Sequence, residues 1–355
     1  FRTSSTGFLY REFVQMASLM KLPCAFSIFA YERMGDAVRL AEWLRSFPGD
    51  IYVQIGNEEC IGLAPTSGEC TLGDCRRYCQ SLRLLVTAMR EANPRLKFVS
   101  AMMFYKDRPE IMDEAFRLTD GYADYWDIHL AAKEKDLTES VREVFRAFRG
   151  MIARLNPKSK MKAAVLEENA CDHGMRRALA HARILGAIRE QGDFVLTSCP
   201  ANAFQPCGQN DNGWDQGQVF FTPDKVWLQP CGWAQQMVAA NHRDILVEGT
   251  SDDGEVEVSA TRDRDGRDVV LHLVNRAQTA RNVRFNFGAN RSLRLAGVTV
   301  LSAAGPDDDN PPDDPLKISP RDGTDAFARS PELLPNSYTV VRFTCATSGD
   351  GKESR

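Results

Sequence analysis

"IYVQIGNEEC", residues 51–60, is an apolar alternating run that stops on Gly56-Asn57 and then presents two carboxylates, Glu58 and Glu59. Further along, "MKAAVLEENACDHG", residues 161–174, repeats the pattern: an apolar run, then Glu167 and Glu168. Acids that follow directly on a strand are held more rigidly than acids on long loops. The arrangement of the strands therefore decides what these acids can do.

Residues 24–200 alternate strand-like and helix-like stretches. The strand candidates are Cys24–Ala30, Ile51–Ile55, Leu96–Met103, Tyr125–Leu130, Met161–Leu166 and Phe194–Ser198. Between them run amphipathic segments. Val141, Val144, Phe145, Phe148, Ile152 and Leu155 recur at three- and four-residue steps, as do Tyr78, Leu82, Leu85, Val86 and Met89, the spacing of one helix face. Pro48-Gly49, Asn93-Pro94 and Asn156-Pro157 end helices shortly before the next strand. Strands joined by helical crossovers form a parallel sheet with helices outside, which is the α/β class. Acids at strand ends suit a (β/α)8 barrel of the TIM type, whose active sites collect on the carboxyl face. Only six of its eight strands are present, preceded by a helix-like segment, Phe8–Met20, so the first two strands are expected to be lacking and the chain to be truncated at its N-terminus.

After Trp233 the pattern changes. "EVEVSATRDRDGRDVVLHLVN" is two alternating runs joined through Asp265-Gly266, a hairpin signal. "NVRFNF", "AGVTVLSA" and "SYTVVRFTC" read as further strands, and "GPDDDNPPDDP" (305–315) as a loop. The expected organisation is a partial barrel over 1–240, a β-sandwich over 241–347 and a disordered tail over 348–355.

Composition narrows the function. Hydrophobic residues make up 43% of the 355 and charged residues 26%, as in a folded globular chain, and the net charge of −4 carries no basic footprint for nucleic acid. No apolar run reaches the ~18–20 residues of a membrane span. The chain opens on Phe1 without a charged-then-apolar leader, so localisation, secreted or cytoplasmic, is not legible at this end. The ten cysteines include no CxxC pair, which disfavours zinc; a Cys60–Cys70 disulfide bracing a loop and free buried thiols remain the alternatives. No metal or cofactor is expected, and oligomeric state stays open.

Glycosidic cleavage needs two carboxyl groups in different protonation states, one to protonate the leaving oxygen and one to attack the anomeric carbon or activate water. Glu58, after Asn57, and Glu167, three strands further round, are the candidates. Asn-Glu ending a fourth barrel strand and Glu ending a seventh, once the two absent strands are counted, is the pattern of the clan A retaining glycoside hydrolases. More narrowly, the chain resembles the α-L-arabinofuranosidases of glycoside hydrolase family 51. "IGNEE" looks like their acid/base motif, "DYWDIHLAA" (124–132) like their D-x-H segment, and "VLEEN" is similar to their nucleophile motif, in which an aromatic residue and sometimes then Asn follow the Glu. "VVLHLVN", "DNPPDDPLKISP" and "SYTVVRF" are similar in kind and order to their C-terminal domain.

The resemblance implies a retaining mechanism on an arabinose-containing glycan, without nucleic-acid or membrane partners. Glu58 would be the acid/base and Glu167 the nucleophile, ~5–5.5 Å apart. Asn57 and His129 would line the sugar subsite, with Trp214 as an apolar wall and Asn202 as a further contact. Glu168 stands where the aromatic is expected and is a rival nucleophile; Glu167 is preferred because it comes first after the apolar run. Glu59 reads as structural, and Asp172 and His173 as caps of a helix beginning near Gly174. Other clan A activities, β-xylosidase or endoglucanase, carry similar pairs. An inactive carbohydrate-binding fragment is the reading from another class: the two surviving glutamates oppose it, and the missing strands favour it.

Overall fold

The computed structural model describes residues 10–61, 70–131, 137–170, 172–209, 215–288 and 293–345. The expected tail lies outside them. The chain packs as two compact units: Phe1–His129 with Val144–Leu166 and Phe194–Thr197, and Leu130–Glu143 with Glu167–Asp193 and Ser198–Arg355.

The first unit is built on parallel strands β1 (Cys24–Ile28), β2 (Ile51–Glu59), β3 (Lys97–Met102) and β4 (Tyr125–Asp127), followed in the sheet by β6 (Lys162–Asn169). Strand β5 (Leu130–Ala131) pairs with the end of β6, and β7 (Val195–Pro200) pairs with β6 as well. Helices α1 (Tyr10–Leu19), α2 (Met34–Trp43), α3 (Leu72–Ala92), α4 (Pro109–Thr119) and α5 (Leu137–Leu155) alternate with these strands. This is the parallel part-barrel expected from the sequence. The stretch expected as one strand over Tyr125–Leu130 is divided in two, with Ile128 and His129 between β4 and β5.

Local chemistry fixes the helices. Helix α3 begins in a capping box, with Thr71 Oγ1 accepting from the Asp74 amide at 3.1 Å, and buries Cys75, Tyr78, Cys79, Leu82, Leu85, Val86 and Met89 along one stripe. Tyr78 is wholly buried; its hydroxyl donates to Ile55 O and accepts from the Ala101 amide, both at 2.8 Å. It thereby satisfies backbone groups where the β2–β3 ladder becomes irregular. Trp126, Phe145 and Phe148 are likewise buried, the Trp126 and Phe148 rings meeting edge-on at 5.7 Å.

The second unit carries a six-stranded antiparallel sheet in the order β11 (Ile245–Val247), β12 (Val256–Arg262), β13 (Asp268–Asn275), β18 (Ser337–Cys345), β15 (Leu293–Ser302), β16 (Arg321–Asp322). The β12–β13 hairpin turns at Gly266, whose φ of +70° suits a residue without Cβ. On one face of this sheet α6 (Met175–Arg189) and α7 (Pro230–Asn241) contribute Leu179, Leu185, Ala234 and Met237 to a core with Val270, Val274 and Tyr338. On the other face Leu271, Val341 and Phe343 pack with Phe327 of α8 (Thr324–Arg329). A three-stranded sheet, β8 (Phe204–Pro206), β9 (Val219–Phe221) and β10 (Val226–Leu228), and a two-stranded one, β14 (Arg281–Asn282) with β17 (Glu332–Leu333), complete the unit.

"NVRFNF" departs from its expected strand. Only Asn282 lies in a ladder, yet Val283, Phe285 and Phe287 still pack on the core of that face. Alternation reported which side chains are buried, but beyond the Val283 amide, which donates to the Pro331 carbonyl at 2.9 Å, no ladder continues this segment among the described residues. Among the described residues, no helix is long and apolar enough to cross a membrane.

Candidate active site

In the first unit β2 leaves its ladder before it ends. Ile55 pairs with Ser100, and the next registered pair is Glu59 with Met102, so three residues of β2 stand against one of β3. The bulge turns on Gly56, at φ +91°, where a Cβ would collide with the Glu59 carboxylate. Glu58 itself sits at φ +47°, a region non-glycine residues rarely enter and one that collects at functional sites. The consequence is that Asn57 is exposed and Glu58 half-buried at the carboxyl end of the strand. Glu59 is the last residue of β2; burial pushes its carboxyl above the ordinary range, against the Asn57 backbone bond that lowers it.

His129 lies 3.1 Å through Nδ1 from Glu58 Oε1, and 2.9 Å through Nε2 from Asp127 Oδ2. Asp127 is buried and accepts from Gln54 Nε2 at 2.6 Å and from the Leu166 amide at 2.9 Å; Gln54 in turn accepts from Ser27. Because Asp127 Oδ2 acts as an acceptor, His129 carries its proton on Nε2. Nδ1 then either accepts a proton from the Glu58 carboxyl or, as imidazolium, donates one to its carboxylate. The Glu58–His129 contact can thus carry a hydrogen bond in either direction.

In the second unit Glu167 and Glu168 are consecutive residues at the carboxyl end of β6, and consecutive strand residues face opposite ways. Glu168 is fully buried, with Arg177 Nη1 at 2.8 Å and His181 Nδ1 at 2.5 Å. Burial alone would raise its carboxyl, but the His181 and Arg177 charges outweigh that and hold it below the ordinary range. Arg177 also donates to the Glu168 carbonyl at 2.9 Å, tying α6 to the strand end. A group so enclosed is already engaged by two side chains of α6, whereas Glu167 beside it is half-buried.

Glu167 is half-buried, and its Oε1 accepts from Asn169 Nδ2 at 2.7 Å. Asn169 Oδ1 accepts from Gln216 Nε2 at 2.9 Å, and Gln216 Oε1 accepts from the Ala170 amide at 2.5 Å. Neither Asn169 nor Gln216 was singled out from the sequence. Asn169 is signalled by standing two residues after the acid, on the same side of the strand; Gln216, distant in the chain, has no local signal. Asn202 follows β7, its carbonyl accepting from the Gln218 amide at 3.1 Å. Trp214 lies outside the described residues.

Asp172 behaves as expected near the helix start, accepting from the Arg177 amide in the first turn of α6 at 3.2 Å. His173 does not cap. Its ring nitrogens meet Asp215 at 3.0 Å and Asp309 at 2.9 Å, tying the loop after β6 to the 305–315 loop. Cys60 and Cys70 form a disulfide, while Cys24, Cys75, Cys79 and Cys231 are free and buried.

Residues 158–334 match the family model described as the alpha-L-arabinofuranosidase C-terminal domain. A crystal structure of the Thermotoga maritima α-L-arabinofuranosidase in its arabinose complex superimposes with a TM-score of 0.74 at 15% identity, over 96% of this chain and 80% of that one. The fold is that of the glycoside hydrolase family 51 α-L-arabinofuranosidases. A family 51 enzyme from Bifidobacterium longum gives a TM-score of 0.73 at 13% identity, covering 94% of this chain and 78% of its own. A family 86 β-porphyranase from Bacteroides plebeius shares the fold at a TM-score of 0.64 and 12% identity, over 92% of this chain and 63% of that one. No curated protein sequence matches the chain. The family 51 fold accounts for the part-barrel and the antiparallel sheets that follow it.

Proposed function

We propose that the chain is a retaining glycosidase releasing α-L-arabinofuranosyl groups from arabinose-containing glycans. The observation that carries this reading is the difference between the two glutamates. Glu58 lies 3.1 Å from a His129 ring nitrogen, a partner that can exchange a proton with a general acid/base, whereas Glu167 accepts through Oε1 from the Asn169 amide, as suits a nucleophile. Both stand at carboxyl ends of strands in the parallel region, where barrel active sites collect.

In the proposed reaction Glu167 attacks the anomeric carbon as the bond to the leaving oxygen breaks, and the Glu58 proton passes to that oxygen. Glu58, now a carboxylate, takes a proton from water. The hydroxide so formed attacks the anomeric carbon and returns Glu167 as a carboxylate. Asn57, His129, Asn202 and Trp214 would contact the sugar. The likeness to a β-porphyranase supports a second reading, a glycosidase of the same fold with another sugar specificity, because fold does not choose the substrate.

A panel of nitrophenyl glycosides tests both readings on the full chain. The first expects nitrophenol chiefly from the α-L-arabinofuranoside; release chiefly from another sugar selects the second. Glu58→Ala and Glu167→Ala are each expected to lower turnover by three or more orders of magnitude with the fold retained. Unchanged turnover in either variant refutes the two-glutamate mechanism.

A further inference from the structure

We infer that Asn169 is a positioning residue that fixes the Glu167 carboxylate through a hydrogen-bond relay whose direction is set by the Ala170 backbone amide. The inference rests on the reading of Glu167 as nucleophile. A backbone N–H can only donate, so the Gln216 atom 2.5 Å from Ala170 N must be the amide oxygen. That orientation turns Gln216 Nε2 towards Asn169 at 2.9 Å, and the atom receiving it must be Asn169 Oδ1. Asn169 then has only its Nδ2 to present to Glu167 Oε1, at 2.7 Å. The usual ambiguity of side-chain amides is removed link by link.

The relay is also rigid. Gln216 is buried, and Ala170 is buried beside it. Asn169 is paired in register with Ala131 of β5, and its carbonyl lies 3.4 Å from Arg177 Nη1. The donor is therefore in place before a sugar arrives, and Glu167 Oε1 meets a hydrogen that it can only accept. This preorganises the attacking carboxylate in position and in charge, the condition under which a positioned group contributes most.

Asn169→Asp is the discriminating variant, because it keeps the shape and replaces the donor with an acceptor. With the full chain and the best glycoside of the panel, Asn169→Ala is expected to lower kcat about 10- to 100-fold while KM moves less than about twofold. Asn169→Asp should lower kcat at least as far and move the acid limb of the rate profile to higher pH. Gln216→Ala should give a smaller loss, and the Asn169→Ala/Gln216→Ala double variant no more loss than Asn169→Ala alone, since Gln216 acts through Asn169. If Asn169→Ala does not fold, the Asp variant and Gln216→Ala carry the comparison. An Asn169→Asp enzyme within twofold of the wild type, or losses confined to KM or melting temperature, overturn the inference alone. A wild-type chain that hydrolyses no glycoside sinks it together with the proposed function.

Discussion

His129 bridges two acids: its Nδ1 lies 3.1 Å from Glu58 Oε1 and its Nε2 lies 2.9 Å from Asp127 Oδ2. Histidine between a buried acceptor and a half-exposed carboxyl is suited to store and return a single proton. Replacing it by Gln keeps the volume polar but abolishes that store. His129→Gln is expected to lower kcat about 10- to 100-fold on substrates with poor, alkyl-type leaving groups, which need protonation. The loss on nitrophenyl glycosides should be smaller, since their leaving groups depart readily as anions. Steady-state kinetics on both substrate types checks this; equal losses would show that His129 only shapes the site.

Glu168 is predicted to matter for stability, not for chemistry. Its removal leaves Arg177 and His181 buried without their carboxylate, a loss of about 3–5 kcal/mol. Glu168→Ala should shift the urea midpoint strongly downward, while any folded fraction keeps near-normal KM. Because the folded carboxyl sits below its ordinary value of 4.5, its contribution is complete above that pH and is lost as pH falls through the folded value.

His272 sets a separate acid limit. It is buried, its Nε2 accepts from Arg189 Nη1 at 2.9 Å, and its Nδ1 lies 2.5 Å from the Tyr338 hydroxyl. Burial first and the Arg189 charge second hold its imidazole well below the ordinary 6.5. The unfolded chain therefore takes up this proton before the folded one, and stability falls as pH drops below about 6.5. Denaturation at pH 7.5 and pH 5 should show a decline in the wild type that is reduced in His272→Gln. An equal decline in both would place the acid sensitivity elsewhere.

The Cys60–Cys70 disulfide closes a short loop of sequence separation 10. On the chain-entropy estimate a loop of that length contributes about 2–3 kcal/mol. Reduction, or the Cys60→Ser/Cys70→Ser pair, should lower the unfolding free energy by that amount, read from denaturant midpoints with and without reductant.

Much of the fold was legible because burial and periodicity coincide. Tyr78, Leu82, Leu85, Val86 and Met89 line the core face of α3 as their spacing predicts, and the parallel strands of the part-barrel lie close to where apolar runs placed them. "NVRFNF" misled because alternation reports which side chains are buried and not whether a neighbouring strand is available to the backbone. At the candidate site, Glu58 and His129 stood out by their place at strand ends. The choice between Glu167 and Glu168 rested in the sequence only on which acid comes first after the apolar run, since both faces of a barrel strand are covered. Only the partners 9 and 13 residues along, Arg177 and His181, separate them, and these become neighbours of the strand only when α6 folds back on it.

The Arg177 guanidinium and the His181 ring have a consequence for the history of this chain. Where an aromatic residue occupies position 168, neither side chain has a carboxylate to meet, and each would be a buried liability. Positions 168, 177, 181 and the neighbouring Gln235 are therefore expected to co-vary as a block among chains of this fold, exchanging a charged plug for an oily one in a single coordinated change.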